Sequence, residues 1–429
     1  MSKSNNSIRW IIICLVFLSL WSAGCQKAKT ETGVVELRMT LWDKQEDLEF
    51  YERALKEFYK THPNIHVTIE STPWVRMFDK LLVSTAGGRC PDVSRISSTW
   101  FTPCAAKNLL ECLAPYIAND PGFDIKDFYK PAVEGWGKYK GKIYAIPGDV
   151  DIYAMYYNKT MFDKCGVPYP DETWDWEKYL WAAKQLANDT DGDGKLEQWG
   201  CVPDQWQDYV WQNCGDILSK DNTRCILDQP AAYEAIQWMA DLRNKQHVSP
   251  SATDAADIGT QKMFTNGQIG MFVSGSWAAA IVFKKEITTF DYDVAPLPKG
   301  KQRASFIGGA CWGILKGSKH KKEAWELVKF MTSPSMQRHF AQEKQIIPSR
   351  KSVAESGAYL LLKDPPKNKQ AFIDTIAHGH TLPKVECSRE MNEIIASEIT
   401  LAVLGKKSAK DACALATRRA NDILMYNAE

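Results

Sequence analysis

Between Val35 and Val93 the apolar spacing switches between strand-like and helix-like periods. Val35, Leu37, Met39 and Leu41 alternate with Glu36, Arg38 and Thr40, the pattern of a half-buried strand. Leu48, Tyr51, Leu55 and Phe58 then share one helical face, and His62-Pro63-Asn64 stops that helix. Ile65, Val67 and Ile69 predict a second strand. Val75, Phe78, Leu81 and Leu82 predict a second helix ending at Gly87-Gly88, and Pro91-Asp92-Val93 opens a third strand. A chain in this order folds as an α/β unit with a largely parallel sheet, which holds ligands at the carboxyl ends of its strands.

The rest of the chain repeats this vocabulary. Trp174 to Ala187 reads as a helix with Thr173 as its N-cap, and Pro230 to Gln246 as a longer amphipathic helix. Ile269–Val273 and Tyr292–Ala295 are short strands, and His320 to Thr332 is a helix. Glu386–Leu404 and Ala409–Tyr426 form a helical pair around Gly405-Lys406-Lys407. At 429 residues without a fixed-period repeat, two α/β lobes are the economical arrangement.

The amino terminus has a different character. Lys3 and Arg9 precede an apolar run from Trp10 to Trp21, too short to span a bilayer but suited to a signal peptide. Ser22-Ala23-Gly24-Cys25 resembles a bacterial lipobox, with Ser22 where Leu is usual. Residues 1–24 are expected to be removed and Cys25 to carry the lipid, palmitate-type acyl chains included. Residues 25–33 would be a polar tether, anchoring the protein in the cell envelope outside the cytoplasmic membrane. Twelve cysteines in an exported chain admit disulfides, with Cys104–Cys112 and Cys201–Cys214 as local pairs, or equally a reduced, buried set.

Several functions are excluded by what the residues are. Lys and Arg number 53 against 52 acidic residues, so there is no basic field for nucleic acid. No C-x-x-C, H-E-x-x-H, G-x-S-x-G or phosphate-loop signature occurs. His378-Gly379-His380 reads as a solvated loop. Asp92, Asp149 and Asp151 could supply a glycosidase carboxylate pair, but their spacing does not require one. Sixteen Trp exceed what core filling favours, since each buried indole N–H needs a partner.

Taken in order, several short motifs resemble the family 1 extracellular solute-binding proteins of bacterial ABC importers, relatives of maltose-binding protein. They are Leu41-Trp42, Pro73-Trp74, Pro91-Asp92-Val93, Tyr144-Ala145-Ile146-Pro147, Tyr156-Tyr157-Asn158-Lys159 and Thr173-Trp174-Asp175. Phe264-Thr265-Asn266-Gly267, Gly275-Ser276-Trp277, Pro296-Leu297-Pro298, Gly308-Gly309, Trp312-Gly313-Ile314 and Ile347-Pro348-Ser349-Arg350 complete the series. The resemblance implies a type II periplasmic-binding-protein fold, two α/β lobes with a ligand cleft between them. Lobe 1 is expected at 34–148 plus 297–343 and lobe 2 at 149–296 plus 344–429. Crossings would lie near Ile146–Asp151, Val294–Leu297 and Gln345–Pro348. The implied function is capture of a sugar or oligosaccharide by a monomer that delivers it to permease subunits, with no cofactor required. A secreted glycosidase and a binder of glycerol-phosphate-type solutes are the alternatives.

Sugars offer apolar faces and a rim of hydroxyls, which aromatic rings and charged groups match respectively. Trp42, Trp74, Trp100, Trp277 and Trp312 are therefore the expected stacking residues, with Trp277 and Trp312 foremost and Trp206 and Trp211 behind them. Asp92, Asp149, Asp151 and Arg350 are the expected polar contacts. Away from the cleft, Asp189, Asp191 and Asp193 occupy positions 1, 3 and 5 of an EF-hand loop, with Gly194 at position 6. The Lys195 carbonyl would be the next ligand and Glu197 falls at position 9, but position 12 is Gly200, so a complete EF-hand is excluded. Some oligosaccharide-binding members of the family hold calcium in a shortened loop of this kind.

Overall fold

The computed structural model describes residues 33–427. The predicted signal peptide, Cys25 and the tether up to residue 32 lie outside the described residues. Strands β1 (Val35–Leu41), β2 (Ile65–Ser71) and β3 (Val93–Ser97) form as their alternation predicts, β1 lying parallel to both. Helices α1 (Leu48–Thr61) and α2 (Trp74–Ala86) connect them, burying Leu55, Phe58, Phe78 and Leu81. α3 (Ser98–Ala106) follows β3 directly, capped by the Ser97 hydroxyl. The first sheet is completed by β4 (Ala145–Pro147) and β10 (Ala310–Ile314), giving the order β2-β1-β3-β10-β4.

A second sheet is built around the long strand β5 (Asp149–Asn158). Its members are β6 (Trp199–Cys201), β7 (Ile269–Gly275), β8 (Tyr292–Ala295), β9 (Ser305–Gly308), β11 (Ile347–Pro348) and β12 (Gly379–His380). Around it pack α4 (Trp176–Leu186), α5 (Trp206–Gln212), α6 (Pro230–Asn244), α9 (Ser388–Val403) and α10 (Ala409–Tyr426). α7 (Lys321–Met331) and α8 (Pro334–Lys344) cover the first sheet. No helix among the described residues is long and apolar enough to cross a membrane.

The chain passes between the sheets at Gly148, joining β4 to β5, and at Gly309, joining β9 to β10. The second crossing therefore differs from the expected Val294–Leu297. Pro296-Leu297-Pro298 ends β8, but Leu297 packs with Met155 and Tyr157, and Ala304 with Trp211, so residues 297–308 stay with lobe 2. Gly309 is required at its position. Its φ is +144° and a Cβ there would lie 2.5 Å from the Asp149 carbonyl oxygen. The third segment follows α8, where β11 pairs with Asp149 and Val150 of β5.

Smaller corrections have local causes. Asp175, not Thr173, caps α4, because its carboxylate accepts the Lys178 N–H; the Thr173 hydroxyl donates to Asp171 instead. His378-Gly379-His380 is not a solvated loop: Gly379 and His380 pair with β9, and His380 stacks on Trp211 at 5.1 Å. The ten cysteines in the described region are free thiols, so neither local disulfide pair forms. Cys104 and Cys201 are buried, and burial pushes the Cys201 thiol up to about 12.

Candidate functional site

Strand directions fix where a ligand can sit. In the first sheet Ser97, at the carboxyl end of β3, is level with Ala310, and Pro147 with Cys311, so this end abuts the crossings. In the second sheet Asp151 of β5 is level with Gly308, and Tyr153 with Gly275, which places the carboxyl ends of β7 and β9 at the same border. Both sheets thus present their ligand-binding ends to one interlobe seam.

The lobe 1 side of that seam is indole. Trp42 follows β1, Trp74 opens α2 and Trp100 lies in α3. Trp100 is buried behind the other two, 5.6 Å from Trp42 edge-on and 5.0 Å from Trp74. Trp42 is half-buried and Trp74 is 45% exposed, so the group grades from core to surface. The Trp100 N–H is buried without an acceptor. Beside them, Arg95 of β3 bridges Asp43 at 2.9 Å and Asp149 at 2.7 Å, its guanidinium 4.5 Å above the Trp42 ring. Burial disfavours that charge, but Tyr51, Asp43 and Asp149 outweigh it and hold Arg95 above its ordinary pKa.

The lobe 2 side is acidic and aromatic. Val150, Ile152 and Ala154 of β5 are core residues, so the alternate positions Asp151 and Tyr153 face away from that core. Asp151 accepts from the Ser276 hydroxyl at 3.1 Å, and burial together with Asp149 pushes its carboxyl up to about 7. A Cβ on Gly275 would lie 2.4 Å from the Trp277 indole nitrogen and 2.9 Å from the Tyr153 ring, so both rings lean over this glycine. Tyr153 also meets Phe306 at 5.1 Å. The Phe306 N–H in turn donates to Asp208 of α5 at 2.6 Å.

Asp208 is 2% exposed and its second carboxylate oxygen has no partner. Burial pushes it up to about 8. Its pKa is thus higher folded than unfolded, where it is about 3.9. Its contribution is therefore intact in acid and lost as pH rises from about 4 to about 8. Asp208→Asn keeps the acceptor for Phe306 without this titration. The stability of the variant relative to wild type should rise across that window and level off above it. Urea denaturation at four pH values measures this, and a pH-independent difference would contradict it.

Three expected contacts are placed elsewhere. Asp92 lies at the amino end of β3, away from the crossings, where it accepts the Arg38 N–H at 2.9 Å and the Ser318 hydroxyl at 2.5 Å. Trp312 is 1% exposed and packs in the lobe 1 core with Leu37, Ile146 and Phe340. Its indole nitrogen lies 2.8 Å from where a Cβ on Gly148 would be, so the ring is closed in beneath the first crossing. Arg350 is 6% exposed; it pairs with Asp127 at 3.1 Å, lies 4.2 Å over the Phe128 ring and donates to the Thr332 carbonyl. Trp206 and Trp211 are also buried. Asp149 is in place but already engaged, by Arg95 and by the Ala310 N–H at 2.5 Å. No motif singles out Arg95, Tyr153, Phe306 or Asp208. A lone Arg inside a buried strand and the β5 alternation were the available signals for the first two.

Where Ser98, Thr99, Thr102 and Trp136 face Phe306, Leu382, Lys384 and Ser388, the free space is about 20 Å³. That is room for about one water. Arg389–Asp79 and Lys107–Glu386 ion pairs, at 3.2 and 3.4 Å, join the lobes nearby. A ligand larger than water therefore enters this part only if the lobes separate.

Residues 42–338 match the family of bacterial extracellular solute-binding proteins. The chain belongs to this family. A Brucella abortus protein described no further than as a binding protein is 27% identical over 362 residues, 83% of this chain and 85% of its own length. The maltotriose-binding protein of Pyrococcus abyssi is 25% identical over 382 residues, covering 84% and 75%. Among solved structures, the ABC substrate-binding protein Lmo0181 from Listeria monocytogenes, in complex with cycloalternan, superposes with a TM-score of 0.81. It is 25% identical, with 91% of this chain and 99% of that one covered. The cyclic alpha-maltosyl-1,6-maltose binding protein from Arthrobacter globiformis gives a TM-score of 0.78 at 22% identity, covering 92% and 100%. The fold is that of the two-lobed solute-binding proteins.

Proposed function

We propose that this solute-binding protein captures a sugar or oligosaccharide between its lobes and hands it, unchanged and as a monomer, to the permease of an ABC importer. The observation that carries this is the pairing of walls at one seam. Trp42 and Trp74 offer ring faces from lobe 1, while Asp151, Tyr153 and Trp277 offer acceptors and ring faces from lobe 2. The relatives named for maltotriose, cycloalternan and cyclic maltosyl-maltose support a carbohydrate ligand. Lobe closure would let a permease distinguish loaded from empty protein.

The alternatives fare worse on the same geometry. A phosphorylated solute needs free cations, yet Arg95 and Arg350 are consumed by Asp43, Asp149 and Asp127. A glycosidase built on Asp149 and Asp151 needs both carboxyl groups available, and Asp149 is already held by Arg95 and Ala310. The deciding experiment is a thermal-shift screen against an oligosaccharide panel, followed by chromatography of the best sugar after incubation. A ligand at 100 times its dissociation constant adds about 2.7 kcal/mol. No shift with any sugar, or conversion of the sugar, would overturn the reading.

Two finer features complete it. Attachment through a lipid on Cys25 predicts that Cys25→Ser moves the protein from the membrane to the soluble fraction; unchanged fractionation would refute it. A structural calcium in the loop after α4 is consistent with its donors. Oxygens of Asp189, Asp191, Asp193 and Glu197 lie within 4.8 Å of one another, hard carboxylate ligands of the kind calcium takes. The Lys195 carbonyl would add a neutral fifth donor. Calcium should raise the melting temperature after chelation, and the Asp191→Ala, Asp193→Ala double variant should lose that response. A melt insensitive to millimolar calcium would leave the loop a plain turn.

A further inference from the structure

A guanidinium buried at the meeting point of the ligand wall and two interlobe crossings has more to do than fill a core. Arg95 stacks on Trp42, donates one Nη to Asp43, the next residue, and the other to Asp149 on the first crossing. Asp149 passes the connection on, since its other carboxylate oxygen accepts the N–H of Ala310, just beyond the second crossing. The Asp149 carbonyl is also the atom that a Cβ on Gly309 would strike. We propose that Arg95 is a positioning residue that couples the orientation of the Trp42 indole to the geometry of both crossings, and so links ligand contact to lobe closure. This rests on the sugar-receptor reading of the seam, because Trp42 must be touched by ligand for the link to carry information.

The physical case is rigidity. The guanidinium is planar, with its donors in a fixed fork, so it cannot tilt to follow the indole without changing its bond to Asp149. All three partners are charged or aromatic and the site is largely dry, where such contacts are strongest. Lys in its place would keep the charge and lose the fork. A sugar ring stacking on the open face of Trp42 would fix the indole plane, and through Arg95 the approach of Asp149 to Ala310.

Hydrogen–deuterium exchange of the ligand-free full chain tests this without knowing the sugar. Trp42→Ala should speed exchange of the Ala310 amide about thirtyfold, the scale of a desolvated cation–π contact. Arg95→Lys should do the same, and the double variant should exchange no faster at Ala310 than Arg95→Lys alone. An Ala310 amide unmoved by Trp42→Ala, additive effects in the double variant, or a uniform acceleration across the chain would each overturn the coupling. Where Arg95→Lys does not fold, Asp149→Asn replaces it with the same expectation. If the wild type binds no sugar in the thermal screen, the receptor reading fails. If it binds sugar while Trp42→Ala leaves Ala310 unmoved, only the coupling fails.

Discussion

Trp312→Ala is expected to lower the free energy of unfolding by about 3–5 kcal/mol, the range for truncating a buried Trp in a core. The indole is closed in by Leu37, Ile146 and Phe340, and its strand is paired on both sides, so the cavity has little means to collapse. Trp277→Ala should behave in the opposite manner. That ring is half-buried over Gly275, beside Tyr153 and Asp151, and its loss should leave the melt nearly unchanged. It should weaken sugar binding by about 1–4 kcal/mol, as truncation of an aromatic anchor does. Urea denaturation and titration calorimetry with the best sugar from the panel read the two quantities separately. A stable Trp312→Ala that has lost binding would return Trp312 to the ligand wall.

The contrast between these two tryptophans shows what the chain reveals before it folds. Strands and helices were legible because periodicity is a local property: β1, β2, α1, α2 and the final helical pair fall where the apolar residues put them. Which face of a strand meets core and which meets ligand is not local. Trp312 and Trp277 both sit in short Gly-containing motifs, yet one indole points into the lobe 1 core with Leu37, Ile146 and Phe340, and the other stands where β7 ends at the seam. The second crossing was misplaced for a similar reason. Pro296 and Pro298 announce a break in β8, but a proline ends a strand wherever the chain goes next. The true crossing depends on a close approach of Gly309 to Asp149, residues far apart in sequence.

Arg350→Ala should lower the unfolding free energy by about 3–5 kcal/mol, the cost of breaking a buried ion pair by removing one partner. Burial already presses the guanidinium toward a lower pKa, and Asp127 opposes this, so the ion pair offsets the cost of burying the charge. Its Nε bond to Thr332 and its stacking on Phe128 bind the segment after β11 to lobe 1, and its own N–H donates to Gln337. Gln337 in turn donates to the Gly148 carbonyl, at the first crossing. Truncation would leave Asp127 with only the Ser352 donors, a hydroxyl and an N–H, in place of a charge. Arg350→Lys should fall between the two, since an ammonium can reach Asp127 but cannot also hold Thr332 and lie flat on the ring. At temperatures where Arg350→Ala remains folded, its sugar affinity should match wild type. Denaturation curves paired with calorimetry decide the matter, because a group that touches sugar would show the reverse, intact stability with lost affinity.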